Sequence, residues 1–213
     1  MYASVVGFFQ EGGAFMYPIM VVLAIGLAIS IERYIYLTGA KRANRKQLNQ
    51  LLPLLQNGDF KQAYTLANQS SHAVNRMLSQ GLARFNSTNN RDDIEAAMEE
   101  SMLEAIPRLE SRTHYLAMLA NIATLLGLLG TIIGLIKAFT AVAAVDPSLK
   151  AEILSTSISV AMNTTAFGLM VAIPMLLFFT VLQTKTTQVV DSLEMATVKF
   201  TNLMMQRKNT ADR

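Results

Sequence analysis

Three uncharged stretches limit what this 213-residue chain can become. Between Glu11 and Glu32 lie 20 residues without a charge, between Arg112 and Lys137 lie 24, and between Glu152 and Lys185 lie 32. The hydrocarbon core of a bilayer needs about 20 apolar residues per helix. Each stretch is long enough to cross it, and the third is long enough to project beyond. A soluble core would need three overlong, uncapped helices instead. Composition points the same way: 52% of residues are hydrophobic, only 15% are charged, and mean hydropathy is +0.32. Soluble domains carry about 25% charged residues. The chain has no cysteine, which excludes a disulfide framework and a Cys-ligated metal site. A net charge of +3 without a concentrated basic patch speaks against nucleic acid as a partner.

Lysine and arginine set the expected orientation. Residues 39–113 hold ten of them, the tail from 184 holds five, and the first fifteen residues hold none. The expectation is an all-α membrane protein with three transmembrane helices, N-terminus out and C-terminus in, extended by a cytoplasmic helical bundle. Residues 1–38 form the periplasmic N-terminus and first span, and 39–113 a cytoplasmic helical segment. The second span is 114–143, a short periplasmic link 144–151, the third span 152–184, and a cytoplasmic C-terminal helix and tail 185–213. Glu32 and Arg33 would anchor the first span at its interface. Asp59, after Gly58, is a candidate N-cap. The stretch from "DDIEAAMEES" (92–101) onward reads as one long helix running into the second span, kinked at Pro107. The tail, with Val189, Val190, Leu193, Val198 and Leu203, continues the third span as helix.

The second span, "NIATLLGLLGTIIGLIKAF" (121–139), keeps polar and small residues in register. Thr124, Gly127, Thr131, Gly134 and Ala138 are spaced 3, 4, 3 and 4, which places them along one helix face. In the third span, "STSISVAMNTTAFGLMVAIP" (155–174), Ser157, Ala161, Thr164, Gly168 and Ala172 share a face, with Thr156, Ser159 and Asn163 on an adjacent one. A hydroxyl or amide in hydrocarbon costs free energy unless it finds a partner. Close helix packing is one use for such stripes, since Gly130 and Gly134 form a GxxxG motif; an ion-lined surface is the other. Neither stripe holds a carboxylate, so a titrating group would have to come from another chain. Lys137 at the outer end of the second span suits snorkelling, with a salt bridge to a partner or to Glu152 as the alternative. His72 and His114 are isolated, and no P-loop, nucleophile elbow or zinc signature is present, so an enzyme is not expected.

These residues carry a resemblance. "GGAFMYPIMVVLAIGLAISIERYIYL", "GDFKQAYTLA", "LLGLLGT" within the second span and "TTAFGLMVAIP" in the third resemble the MotA/TolQ/ExbB group of bacterial inner-membrane ion channels, in its ExbB/TolQ branch. The resemblance implies a homopentamer around a dimer of an ExbD/TolR-like single-span partner whose Asp titrates. It implies an inner-membrane motor or stator that couples ion flow to work across the envelope, as in TonB-type uptake. By position, Thr131 and Thr165 match the family's two channel threonines. The residues themselves, not the resemblance, suggest Thr124, Asn163 and Thr164 as further pathway oxygens and Gly127, Gly130, Gly134 and Gly168 as packing residues. Two positions depart from the pattern: Thr124 stands where the family often has proline, and Val160 where it usually has glutamate. Neutral oxygens suit sodium, so a transient Na⁺ is expected at Thr131, Thr164 and Thr165, with H⁺ through water and the partner's Asp as the alternative. No cofactor and no resident metal are expected. The competing reading is a non-conducting membrane scaffold.

Overall fold

The computed structural model describes residues 12–88, 90–143 and 145–211, with side chains through Arg207. Residues 1–11 of the expected outward-facing N-terminus, Ala144 of the expected link, and the last two residues of the tail lie outside the described residues. The described chain is helical: α1 (Met16–Asn57), α2 (Phe60–Asn68), α3 (Ala73–Ser87), α4 (Arg91–Glu110), α5 (Thr113–Ala143) and α6 (Lys150–Ala211). Three stretches, in α1, α4–α5 and α6, are long and apolar enough to cross a membrane. The chain is a multi-pass membrane protein.

Two compact units divide the chain, the first comprising residues 1–32 and 112–181 and the second residues 33–111 and 182–213. In the first unit, Met16, Ile19 and Val22 of α1 pack with Leu119, Ala120 and Ala123 of α5 and with Phe167, Val171, Ala172 and Met175 of α6. Lipid tails are as apolar as these side chains, so close van der Waals fit, rather than escape from water, must hold the spans together.

The second unit has a different driving force, because its apolar stripes face away from polar surfaces. Along α6, Leu182, Thr186, Val189, Leu193, Ala196, Phe200 and Met204 are buried at three- and four-residue spacing. That interval keeps one stripe facing inward. The tail is therefore helical as expected; of its apolar residues Val198 is 49% exposed, whereas Phe200 and Met204 are fully buried. Helices α2, α3 and α4 add Ala63, Ala67, Met77, Leu78, Leu82, Ile94 and Met98. Asn75, fully buried, donates from Nδ2 to the Leu66 and Ala67 carbonyls at 3.4 and 3.3 Å, closing the C-terminal end of α2.

Local chemistry sets the helix ends. At the end of α1, the Gly58 N–H bonds to the Leu55 carbonyl (3.3 Å) and the Asp59 N–H to that of Leu54 (3.0 Å). With Gly58 at φ 86°, this is a Schellman closure, which glycine favours because it lacks a Cβ. Asp59 stands at the N-cap of α2, but its side chain makes no cap bond, so its work is done by its backbone. Asn90 caps α4 by accepting from the Asp92 N–H at 3.3 Å.

The helix expected to run unbroken into the second span is broken. Pro107 lies inside α4, and the break falls at Ser111–Arg112, where the Ser111 N–H bonds back to the Pro107 carbonyl (3.0 Å) and Arg112 takes φ 64°. A left-handed conformation costs a non-glycine residue about 1 kcal/mol. Arg112→Gly is therefore expected to raise stability by about 0.5–1 kcal/mol and Arg112→Val to lower it by at least as much, read from thermal unfolding midpoints. The ion pair of Arg112 with Glu32, at 3.4 Å and well exposed, offsets little of this.

Arg33 departs from the anchoring role. It is 2% exposed, and its guanidinium donates to the Arg108 carbonyl (3.5 Å) and to the Leu109 carbonyl. The Thr186 hydroxyl lies 3.5 Å from the same Leu109 oxygen. A helix leaves its last four carbonyls without internal partners; the break in the chain and the buried arginine belong together.

Candidate functional site

The expected site residues lie in the first compact unit and divide into two groups. The glycine stripe of α5 is a packing surface. A Cβ built on Gly127 would meet the Thr165 Cα at 3.2 Å and the Gly168 Cα at 3.4 Å. One on Gly168 would stand 2.7 Å from the Ala123 carbonyl oxygen and 3.1 Å from the Gly127 Cα. Farther along, Gly130 faces the Thr164 methyl and Gly134 faces Ala161. Helices α5 and α6 thus meet backbone to backbone, with Ala161 and Thr164 filling the groove.

The threonines then part company. Thr164 is 2% exposed, and its hydroxyl lies 2.6 Å from the Gly12 carbonyl and 3.0 Å from its own helix carbonyl at Val160. It sits inside the packed helices of this unit. Thr165, next along the chain, is half-buried and donates 2.9 Å to the Gly127 carbonyl across the helix pair. That bond depends on glycine, because no side chain shields the carbonyl. Thr131 is half-buried at the margin of the packed face and donates 2.6 Å to Leu128 of its own helix. Thr124 does the same to Ala120 at 3.1 Å. Asn163 is half-buried, while Thr156 and Ser159 are exposed.

Helical geometry accounts for this split. On α6, Ala161, Thr164, Gly168 and Ala172 point toward α5 and α1, and the adjacent face carries Glu152, Thr156, Ser159 and Asn163 at intervals of 4, 3 and 4. Each threonine that donates its hydroxyl proton to a carbonyl keeps its oxygen lone pairs as acceptors. Such oxygens can ligate a cation or accept from water, but they cannot relay a proton by titrating. Lys137 is exposed, and no ion pair joins it to Glu152 among the described residues. His114 stacks near Phe179, with ring centres 6.4 Å apart.

The sequence offers Thr164 both as a member of the small-residue face and as a pathway oxygen. Only the Gly130 contact, which needs the register of α5 against α6, reveals that it fills the interior. Helical period alone puts Thr156, Ser159 and Asn163 on one face of α6; the exposure of Thr156 and Ser159 is seen only in the structure.

The sequence profile of the MotA/TolQ/ExbB proton channel family matches residues 69–195. The chain is 27% identical over 203 residues to a putative biopolymer transport protein ExbB homolog of Methanothermobacter thermautotrophicus, covering 94% of this chain and 70% of that one. It is 31% identical over 173 residues to the biopolymer transport protein exbB1 of Vibrio cholerae, covering 78% of this chain and 73% of the relative. A putative ExbB-like 1 biopolymer transport protein of Synechocystis is 28% identical over 186 residues, covering 86% and 72%.

Proposed function

We propose, from the premise that this chain belongs to the MotA/TolQ/ExbB proton channel family, that it is the ion-conducting subunit of a biopolymer transport energiser in a bacterial inner membrane. One observation carries this reading. The subunit leaves a polar face on a span that is otherwise apolar: Thr156 and Ser159 exposed, Asn163 half-buried, with Thr131 half-buried on α5. Thr131 and Thr156 donate their hydroxyl protons to carbonyls of their own helices at 2.6 and 2.9 Å, but their lone pairs and the polar atoms of Ser159 and Asn163 would lose the partners water gives them if they faced lipid, which costs free energy. That face must meet protein or a water-lined path in the working assembly. A ring of copies, five by family resemblance, around an ExbD/TolR-like single-span dimer supplies both.

No Asp or Glu lies within 113–136 or 153–184. The titrating carboxylate therefore comes from the partner helix, and this chain contributes neutral oxygens. In this reading Thr165 fixes the channel wall by tying α6 to the Gly127 carbonyl, and Thr131 presents lone pairs beside it. Thr164 serves packing rather than ligation. Hard cations take oxygen ligands, so Na⁺ is the favoured coupling ion and H⁺, passed through water and the partner's Asp, the alternative. Work driven by the reconstituted complex is expected to rise with Na⁺ at fixed pH; a response flat in sodium removes the sodium reading and leaves protons.

The scaffold alternative draws on the Thr165–Gly127 bond, which also describes pure packing. The two diverge at Thr165→Val. A channel wall predicts an intact complex, destabilised by about 1 kcal/mol for one lost hydrogen bond, with energised work down at least tenfold. A scaffold predicts that any loss of work follows loss of assembly, seen by size-exclusion chromatography of the same preparation.

A further inference from the structure

The second compact unit contains a cavity of about 430 Å³, bordered by α1, by the N-terminal end of α3 and by α4. Its polar lining is rich in donors. Arg76 and Arg108 contribute guanidinium groups, and Ser71 and Ser101 contribute hydroxyls. Asn44 also lines it; it is 4% exposed, and its Nδ2 has no hydrogen-bond partner. A buried amide donor without an acceptor costs about 1–3 kcal/mol, which a ligand oxygen in the cavity would offset. Nothing in the described lining is acidic.

The helix end at the cavity adds to this field. Residues 71–73 border the space, His72 occupies the N-cap of α3 without a side-chain cap bond, and the first turn holds no acid. Free N–H groups at a helix start favour anions. Arg76 lies one turn into α3, an unfavourable place for a cation unless an anion is near. Glu104 outside the lining pairs with Arg76 at 2.6 Å and partly meets that need. Arg108 has no carboxylate within ion-pair distance among the described residues. A buried amide donor, an uncapped helix start and two arginines converge on one space.

We propose that this cavity binds a phosphate group. Its place on α1 decides where that phosphate can come from. Ile35 and Gly39 line it, and at about 1.5 Å per residue they lie roughly 5–10 Å past Glu32, where the first uncharged run ends. That is headgroup depth. Both an anionic phospholipid headgroup and a soluble phosphate can reach it, and both present the same oxygens.

The test uses the full chain in nanodiscs of phosphatidylcholine alone, or of phosphatidylcholine and phosphatidylglycerol in equal parts, with inorganic phosphate titrated into the first set. Thermal unfolding midpoint and phosphatidylglycerol retained per chain are measured. Arg108→Gln removes a charge from an exposed position, and Gly39→Leu fills the space from a site where an added Cβ meets nothing within 4 Å. Lys46→Gln removes an exposed charge outside the lining. A lipid site predicts phosphatidylglycerol retention and stabilisation that fall at least tenfold in apparent affinity in Arg108→Gln and Gly39→Leu but not in Lys46→Gln. A soluble-ligand site predicts the same pattern for inorganic phosphate. The proposal is overturned if neither ligand stabilises the protein, if both cavity variants respond like the parent, or if Lys46→Gln loses as much as Arg108→Gln.

Discussion

Gly168→Leu is expected to be the most damaging single change in the membrane part, lowering stability by about 3 kcal/mol or more and preventing recovery of the assembled protein. The reason lies in what a side chain there would strike. Its first carbon would stand 2.7 Å from the Ala123 carbonyl oxygen and 3.1 Å from the Gly127 Cα. Both are backbone atoms of a helix, so no rotamer change relieves the overlap, and α5 and α6 must move apart. Overpacking a well-filled core costs typically 1–3 kcal/mol when side chains can yield; here they cannot. Separation also removes the acceptor of the Thr165 hydroxyl. At Gly134 the corresponding contact is the Ala161 Cβ at 3.0 Å, a methyl rather than a backbone oxygen, and Gly134→Ala is expected to cost less. Yield of folded protein and unfolding midpoint after detergent extraction check the order Gly168→Leu, Gly168→Ala, Gly134→Ala.

The second large effect is expected at Arg33. Replacement by leucine leaves the Arg108 carbonyl without the guanidinium and the Leu109 carbonyl with only the long contact from Thr186. Bonds to a charged donor contribute about 1.5–3 kcal/mol each. Burying a guanidinium carries its own desolvation cost, which leucine escapes. The difference leaves Arg33→Leu about 2–3 kcal/mol less stable. Arg33→Lys keeps the charge but cannot fork to two carbonyls, so it falls between. Because the loss is local, amide hydrogen exchange at residues 108–113 is expected to accelerate more in Arg33→Leu than exchange elsewhere in α4. Uniform acceleration would mean that Arg33 acts on the whole unit instead.

Arg33 also illustrates what the sequence leaves illegible. A charged pair closing an apolar run looks like an interfacial anchor, and for exposed Glu32 nothing in the structure argues otherwise. The burial of Arg33 follows from carbonyls left free near a helix break, the Leu109 carbonyl lying 76 residues later in the chain. No local pattern announces that partnership. The break itself was masked because Pro107 draws attention to its own position, whereas the chain turns only after Glu110. The three apolar runs, by contrast, were plain, since length and lack of charge are properties of a segment alone. The glycine and hydroxyl stripes were legible as faces because helical period is fixed. Helical period sets Thr164 on the Gly168 face and Thr165 beside it, but which face turns toward α5 depends on how the two helices meet, and only the contacts with Gly130 and Gly127 show it. In the tail the helix was legible from its apolar residues, and packing alone shows that Phe200 and Met204 are buried while Val198 stays exposed.

The central claim, that this chain walls an ion path whose titrating group lies on a partner, is tested most directly by cation flux into proteoliposomes. The chain is reconstituted alone, with a single-span ExbD/TolR-like partner, and with that partner as Thr165→Val. The account predicts no flux from the chain alone, flux from the second preparation, and a third that assembles but conducts at least tenfold more slowly. An assembled complex that passes no cation, or one whose flux Thr165→Val leaves unchanged, would contradict it.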